Sequence, residues 1–156
     1  AETCFGSGNA NDFNSTEGVF FIEAAALADD GTDRYLSIDD GTASNYIYFR
    51  YVSSGGILFR TAVGGVTINT LQGYAVDATK NHKFAFKYKS GDYAMWVDGV
   101  EIVTNTASTI FAPNTLNNLE FNYPASGSGV LKAKTSQIQV FNTALTDAEL
   151  TILTTI

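Results

Sequence analysis

The residues that could do chemistry fall in a few short stretches. Asp29-Asp30-Gly31-Thr32-Asp33 and Asp39-Asp40 place five carboxylates in two neighbouring loops, and oxygen-rich loops of this kind suit calcium. Their spacing is not that of an EF-hand, and aspartate also forms turns by bonding its own backbone two residues on. Asp29, Asp30, Asp33, Asp39 and Asp40 therefore read either as calcium ligands or as turn formers. His82 is the sole histidine and Cys4 the sole cysteine, which rules out a zinc site and gives Cys4 no imidazole nearby in sequence to activate it. Asp147 and Glu149 follow Thr146 in the order of a capping box, so helix capping accounts for both carboxylates. Gly55-Gly56 and Gly64-Gly65 lack the Gly-Lys-Ser/Thr of a phosphate loop and read as turn glycines.

The elements that must position these residues are strands. Apolar and polar residues alternate with period two between clusters of Gly, Asp, Asn and Ser, and helical periodicity is absent until the end of the chain. Val19-Phe20-Phe21-Ile22 opens the first clear strand, and Tyr35-Leu36-Ser37-Ile38 the next before Asp39-Asp40-Gly41 turns the chain. Along Asn45 to Val52, Tyr46, Tyr48 and Arg50 share one face while Ile47, Phe49 and Tyr51 share the other. A hairpin loop at Ser53-Ser54-Gly55-Gly56 leads to an alternating strand from Ile57 to Thr61, and Val66 to Leu71 continues the meander.

The best-marked hairpin joins His82–Lys89 to Tyr93–Val97 through Ser90-Gly91-Asp92, and Asp98-Gly99 leads on to Val100–Val103. Phe84, Phe86 and Tyr88 form its apolar row. Lys83, Ala85, Lys87 and Lys89 form the opposite row, a solvated or binding face, because unpaired amines are costly to bury. Leu119–Tyr123 and Val130–Phe141 supply the last strands, and Leu150 and Leu153 dock one short helix that begins at Thr146. About ten short strands with no βαβ rhythm predict an all-β fold, an antiparallel two-sheet β-sandwich of jelly-roll type with one short C-terminal helix.

Composition narrows the function. The 156 residues are 45% hydrophobic and 16% charged, which suits one packed domain and excludes a disordered acidic tail or a coiled coil. A formal net charge of -7 argues against nucleic acid as a partner, since that affinity comes from neutralising phosphates. No apolar run reaches the roughly 18 residues of a membrane span, so membrane insertion is not expected. The start, Ala-Glu-Thr-Cys, has neither an initiator Met nor an apolar signal region, and residues 1–156 read as one domain excised or processed from a longer protein.

Three motifs go beyond fold class: Asn81-His82-Lys83-Phe84-Ala85-Phe86-Lys87-Tyr88, Ala94-Met95-Trp96-Val97-Asp98-Gly99-Val100, and Ile138-Gln139-Val140-Phe141-Asn142-Thr143-Ala144-Leu145-Thr146-Asp147-Ala148-Glu149-Leu150. In order and spacing they resemble the concanavalin A-like lectin/glucanase superfamily in its laminin-G-like jelly-roll branch. Thr16–Phe21, Gly31–Arg34 and Ile38–Thr42 further resemble the lectin-like domains of bacteriophage tail and other virion proteins.

The resemblance implies a fold shared by glycosidases, lyases, lectins and protein-binding modules, and the residues must choose among them. The hydrolase branch carries Glu-x-Asp-x-x-Glu on one strand, which puts nucleophile and acid/base on one face; no such motif occurs here. The lyase branch carries Gln-Ile-His, and Gln137-Ile138-Gln139 lacks that His. His82 stands where the family places a structural histidine, and calcium in the aspartate loops would match related laminin-G-like domains.

Glycan binding, which the resemblance implies, needs aromatic faces for the CH surfaces of sugar rings and polar groups around them. With Met95 and Val97 facing the core, Trp96 turns to the opposite face, where Tyr46, Tyr48, Arg50, Arg60 and Lys87 are expected to join it. Asn122 and Tyr123, with the Ser126-Gly127-Ser128-Gly129 loop, form a second candidate. The expectation is a non-catalytic, lectin-like domain of a phage tail or other virion protein, extracellular or on the virion surface, that recognises host glycan. Virion subunits or copies of the chain are further expected partners. The alternatives are a structural or decoration domain making protein contacts through Trp96 and, third, a glycan-cleaving enzyme.

Overall fold

The computed structural model describes residues 7–52 and 56–156; Cys4 and Ser53-Ser54-Gly55 lie outside the described residues. In chain order the elements are β1 (Glu17–Ala26), β2 (Arg34–Asp39), β3 (Tyr46–Val52), β4 (Gly56–Val63), β5 (Val66–Ala75), β6 (His82–Lys89), β7 (Tyr93–Val97), β8 (Val100–Asn105), β9 (Asn118–Glu120), β10 (Ala133–Phe141) and α1 (Asp147–Thr154). They form two five-stranded sheets, ordered β10-β1-β6-β7-β8 and β5-β4-β3-β2-β9. Every strand pairing within them is antiparallel, as a jelly-roll sandwich requires.

The core lies between the sheets and follows the expected alternation. Ile47, Phe49 and Tyr51 of β3 face inward with Phe84, Phe86, Tyr88, Met95 and Val97 from the other sheet. Phe59 stacks on Phe86 at 5.0 Å and Phe49 meets Phe84 at 5.1 Å, so aromatic contacts join the layers. Each such ring contributes about 1.5–3 kcal/mol by leaving water. His82 fixes the start of β6, with Nδ1 2.6 Å from Asp98 Oδ2 while Asp98 Oδ1 accepts from Lys83 N at 2.9 Å. Asp98 and Gly99 both adopt positive φ, 49° and 84°, the left-handed pair that a tight two-residue hairpin needs.

Two expected strands come out shorter. The Leu119–Tyr123 strand is the three-residue β9, because the chain then turns on itself: Tyr123 N donates to Ser128 O at 2.9 Å, and Ala125 takes a positive φ of 54°. Val130 makes only an isolated parallel bridge to Tyr35, and β10 begins at Ala133.

α1 forms as its sequence directs, with the full capping box of Thr146 and Glu149 in place. It lies across the outer face of the first sheet, where Leu150, Leu153 and Leu145 pack on Val19, Phe21, Ala85, Ala94 and Trp96. Gly99 N donates to Thr154 Oγ1 at 3.0 Å. Lys87 bridges Asp92 and Asp147 at 3.0 Å each; burial alone would depress its amine, but the two carboxylates outweigh burial and raise it. The expectation of an open lysine row is corrected at Lys87, which is 6% exposed and lies within the docking of α1.

Candidate functional site

The outer face of the second sheet carries an unusual density of aromatic and charged side chains, and the strand register sets them in cross-strand rows. One row runs Thr70, Arg60, Tyr48, Ser37, Glu120 across β5, β4, β3, β2 and β9. A second holds Gln72, Leu58, Arg50 and Tyr35, and a third holds Ala62, Tyr46, Asp39 and Asn118. Directly opposed residues on antiparallel strands share a face, so these rows form one surface.

Four tyrosines make a box on it. Tyr46 stacks on Tyr48 at 5.3 Å and 15°, and Tyr35 meets Tyr48 edge-on at 5.2 Å. Tyr123, delivered by the turn after β9, closes over them at 5.1 Å from Tyr35, 5.8 Å from Tyr48 and 6.2 Å from Tyr46. Tyr48 is 1% and Tyr46 6% exposed, so these two are the floor of the box, and half-buried Tyr35 and Tyr123 present ring surface to solvent. Burial raises the phenols of Tyr35 and Tyr48 and pushes Tyr46 up to about 12. All three hydroxyls are neutral at physiological pH and can both donate and accept.

Two guanidiniums flank the box. Arg50 lies over the Tyr35 ring, 5.5 Å from its centroid, with Nη2 3.0 Å from Asp33 Oδ1. Arg60 lies over the Tyr48 ring at 5.7 Å and donates through Nε to Thr70 Oγ1 at 3.1 Å. Cation–π placement of this kind attracts the guanidinium to the negative face of the ring and holds a flexible side chain over it.

The far side of the face is acidic. Asp39 is fully buried and accepts from Ser37 Oγ at 2.9 Å and from Gly41 N at 2.8 Å; burial nevertheless raises its carboxyl. Burial also raises Glu120, and the neighbouring Asp39 charge adds to the effect. Asn122, 2% exposed, has one end of its side-chain amide 2.9 Å from both Glu120 Oε2 and Tyr123 O; because both are acceptors, the amide nitrogen is assigned to that end, where it donates to each and holds the carboxylate.

The structure thus brings the two candidate groups together in part. Tyr46, Tyr48, Arg50 and Arg60 share one face with Asn122 and Tyr123. Trp96 and Lys87 do not join them: they belong to β7 and β6 of the other sheet and point from the opposite outer face, where Trp96 is 5% exposed among residues that pack with α1. Tyr35 and Glu120 were not singled out from sequence. Their signal lay in register, since both fall in the rows of Tyr48 and Arg50 once β2 is paired.

The aspartates are taken up by local partners. Asp30 is 2.7 Å from Arg34 and accepts from Thr32 N at 3.0 Å, and the Arg34 hydrogen bond holds its carboxyl down at about 2. Asp33 pairs with Arg50, Asp39 bonds Ser37 and Gly41, and Asp40 accepts from Thr42 and Asn45. Among the described residues no three His, Cys, Asp or Glu side chains gather as metal ligands. Asp30, Asp33, Asp39 and Asp40 thus act here as turn and ion-pair residues, which speaks against the expected calcium grouping of these four with Asp29 and leaves it to a calcium titration.

A family model described as the concanavalin A-like lectin/glucanases superfamily matches residues 20–151. No curated protein matches the sequence. Among solved structures, the CBM40 of the Ruminococcus gnavus IT-sialidase, bound to α2,3-sialyllactose, aligns with a TM-score of 0.74 at 17% identity, covering 99% of this chain and 95% of its own. The leech intramolecular trans-sialidase aligns at 0.71 and 18% identity over 91% of this chain and 24% of its own. Domains LG4-5 of the mouse laminin α1 chain align at 0.66 and 14% identity over 94% of this chain and 40% of theirs. At these identities the likeness is one of fold.

Proposed function

The chain belongs to the concanavalin A-like lectin/glucanases superfamily, and we propose that within it residues 1–156 act as a non-catalytic, lectin-like domain that binds glycan on the outer face of the β5-β4-β3-β2-β9 sheet. The observation that carries this reading is the Tyr35–Tyr123 ring pair, 5.1 Å apart and half-buried, between Arg60 and Glu120. Ring faces take the CH surfaces of a sugar, and fixed charged and amide groups around them select hydroxyls. The sialyllactose bound to the Ruminococcus gnavus CBM40 supports a glycan ligand on this fold. A monovalent site of this shallow kind binds weakly, with Kd nearer about 1 mM than nanomolar, and display in several copies would raise its avidity.

The finer setting is an extracellular adhesin of a phage tail or other virion protein, as the resemblance of the N-terminal stretches implies, with the parent assembly supplying copies. Among the described residues no helix is long and apolar enough to cross a membrane. A second reading, a structural or decoration domain, draws on exposed Val100, Ile152 and Ile156, which lie where the Asp98-Gly99 turn meets the end of α1.

A glycan array probed with the domain clustered on a multivalent carrier separates the two. Tyr123→Ala is expected to abolish the hits while leaving the melting temperature near that of the parent. Hits that survive Tyr123→Ala would move the site elsewhere, and silence on every glycan would favour the protein-contact reading. For the adhesin setting, the same clustered domain is expected to label host cells until periodate destroys their surface sugars.

A further inference from the structure

The row Thr70, Arg60, Tyr48, Ser37, Glu120 is electrically polar. Arg60 near one end has no carboxylate partner among the described residues, whereas Arg34 and Arg50 are paired with Asp30 and Asp33. Its Nε is committed to Thr70, and its two terminal nitrogens make no hydrogen bond among the described residues. In a chain of net charge -7, a guanidinium kept free of carboxylates and held over a ring is set to receive an anionic group from outside, in the forked geometry that suits carboxylate or sulfate.

Glu120 stands at the other end, half-exposed and oriented by Asn122. An ionised carboxylate only accepts hydrogen bonds, so it suits hydroxyls and repels a second anion. Buried Asp39 in the adjacent row adds to that repulsion. Three inter-strand spacings separate the Arg60 and Glu120 backbones, about 14 Å, a span longer than one pyranose ring. Tyr123 and Tyr35 lie between as the apolar bridge.

Resting on the glycan-binding reading above, we infer that the face takes an acidic saccharide of more than one ring and holds it in a single direction. The ligand's anionic group sits on Arg60, and a neutral, hydroxyl-bearing ring sits at Glu120. The reversed pose would set the anion against Glu120 and Asp39 and leave Arg60 unmatched.

The test titrates the protein with sialyllactose and with glucuronic- and galacturonic-acid disaccharides, each beside its carboxyl-reduced form. The parent is expected to prefer an acidic form by about tenfold or more, as a charge-assisted bidentate contact gives. Arg60→Gln should remove that preference, and Glu120→Gln should weaken acid and reduced forms alike while keeping it; both variants are checked for an unchanged fold by their amide spectra. A nitroxide on the reducing end of the bound acidic sugar should broaden the amides of Asn118–Glu120 more than those of Thr61 and Thr70. Equal affinity for acid and reduced forms, or broadening of Thr61 and Thr70 instead, overturns the direction while the glycan reading stands. Binding of none of these sugars by a domain that gives hits on the glycan array overturns the acidic ligand while the glycan reading stands; silence on every glycan, or binding that Tyr123→Ala leaves untouched, sinks the glycan-face reading and the direction with it.

Discussion

The Arg60 guanidinium lies 5.7 Å from the centroid of the Tyr48 ring, on the only row that also holds Glu120. Tyr48 is 1% exposed, so its ring offers no surface to a ligand. With Tyr46 stacked beside it at 5.3 Å, it is the floor on which the surface-reaching Tyr35 and Tyr123 stand, 5.2 and 5.8 Å away. The proposed binding at this face would therefore depend on a residue that no ligand needs to touch.

Tyr48→Ala removes that floor. The loss of a buried aromatic is expected to cost about 3 kcal/mol or more, read by chemical denaturation, and to loosen Arg60 and Tyr123 together. Tyr48→Phe keeps the ring and should retain both stability and glycan affinity; equal damage from the two variants would show that the hydroxyl, not the ring, supports the face.

Trp96 reports on the other side of the sandwich. Leu150→Ala is expected to cost about 3 kcal/mol and to shift Trp96 emission to the red, because Leu150 and Trp96 share the cluster under α1. Glycan added to the parent should leave that emission unchanged, since the single Trp faces away from the tyrosine box. Quenching by sugar would return the site to the α1 side.

Charge and pH separate the carboxylates. Asp39 and Glu120 have raised carboxyls in the folded chain, so they bind protons more tightly there than when unfolded. Their contribution to stability is present at low pH and is lost as pH rises through the raised values. Asp30, held at about 2 by Arg34, runs the other way: its contribution is present above the ordinary carboxylate range and is lost as pH falls towards that value. Asp39→Asn keeps an acceptor for Gly41 N and removes the buried charge. It is expected to raise Tm at neutral pH, with the gain vanishing on acidification below the carboxylate range; a lower Tm at neutral pH would show that the charge itself is needed.

Calcium should do nothing. With Asp30 paired to Arg34 and Asp33 to Arg50, neither calcium nor EGTA is expected to move Tm, because only a ligand bound to the folded state does so. A rise on adding calcium would restore the aspartate loops as a metal site.

Period-two alternation made the faces of β3 legible: Ile47, Phe49 and Tyr51 went inward and Tyr46, Tyr48 and Arg50 outward. The capping box made α1 legible from Thr146 and Glu149. Alternation does not say which sheet a strand joins, and that is why Trp96 on β7 read as a companion of Tyr48 on β3. The outward row on β1, β6 and β7 held a clue, for Val19, Phe21, Ala85 and Ala94 are too apolar to face water uncovered. Tyr35 and Tyr123 meet through strand pairing and the turn after β9, contacts set by tertiary structure rather than by spacing along the chain.

The most direct test is an amide chemical-shift titration of the isotope-labelled protein with the tightest sugar from the array. The expected shifts cluster on β2, β3, β4 and β9, centred on Tyr35, Tyr48, Arg60, Glu120 and Tyr123, and leave β6, β7 and α1 in place. Shifts confined to the α1 side or to loops away from the tyrosine box would contradict a glycan site on this face.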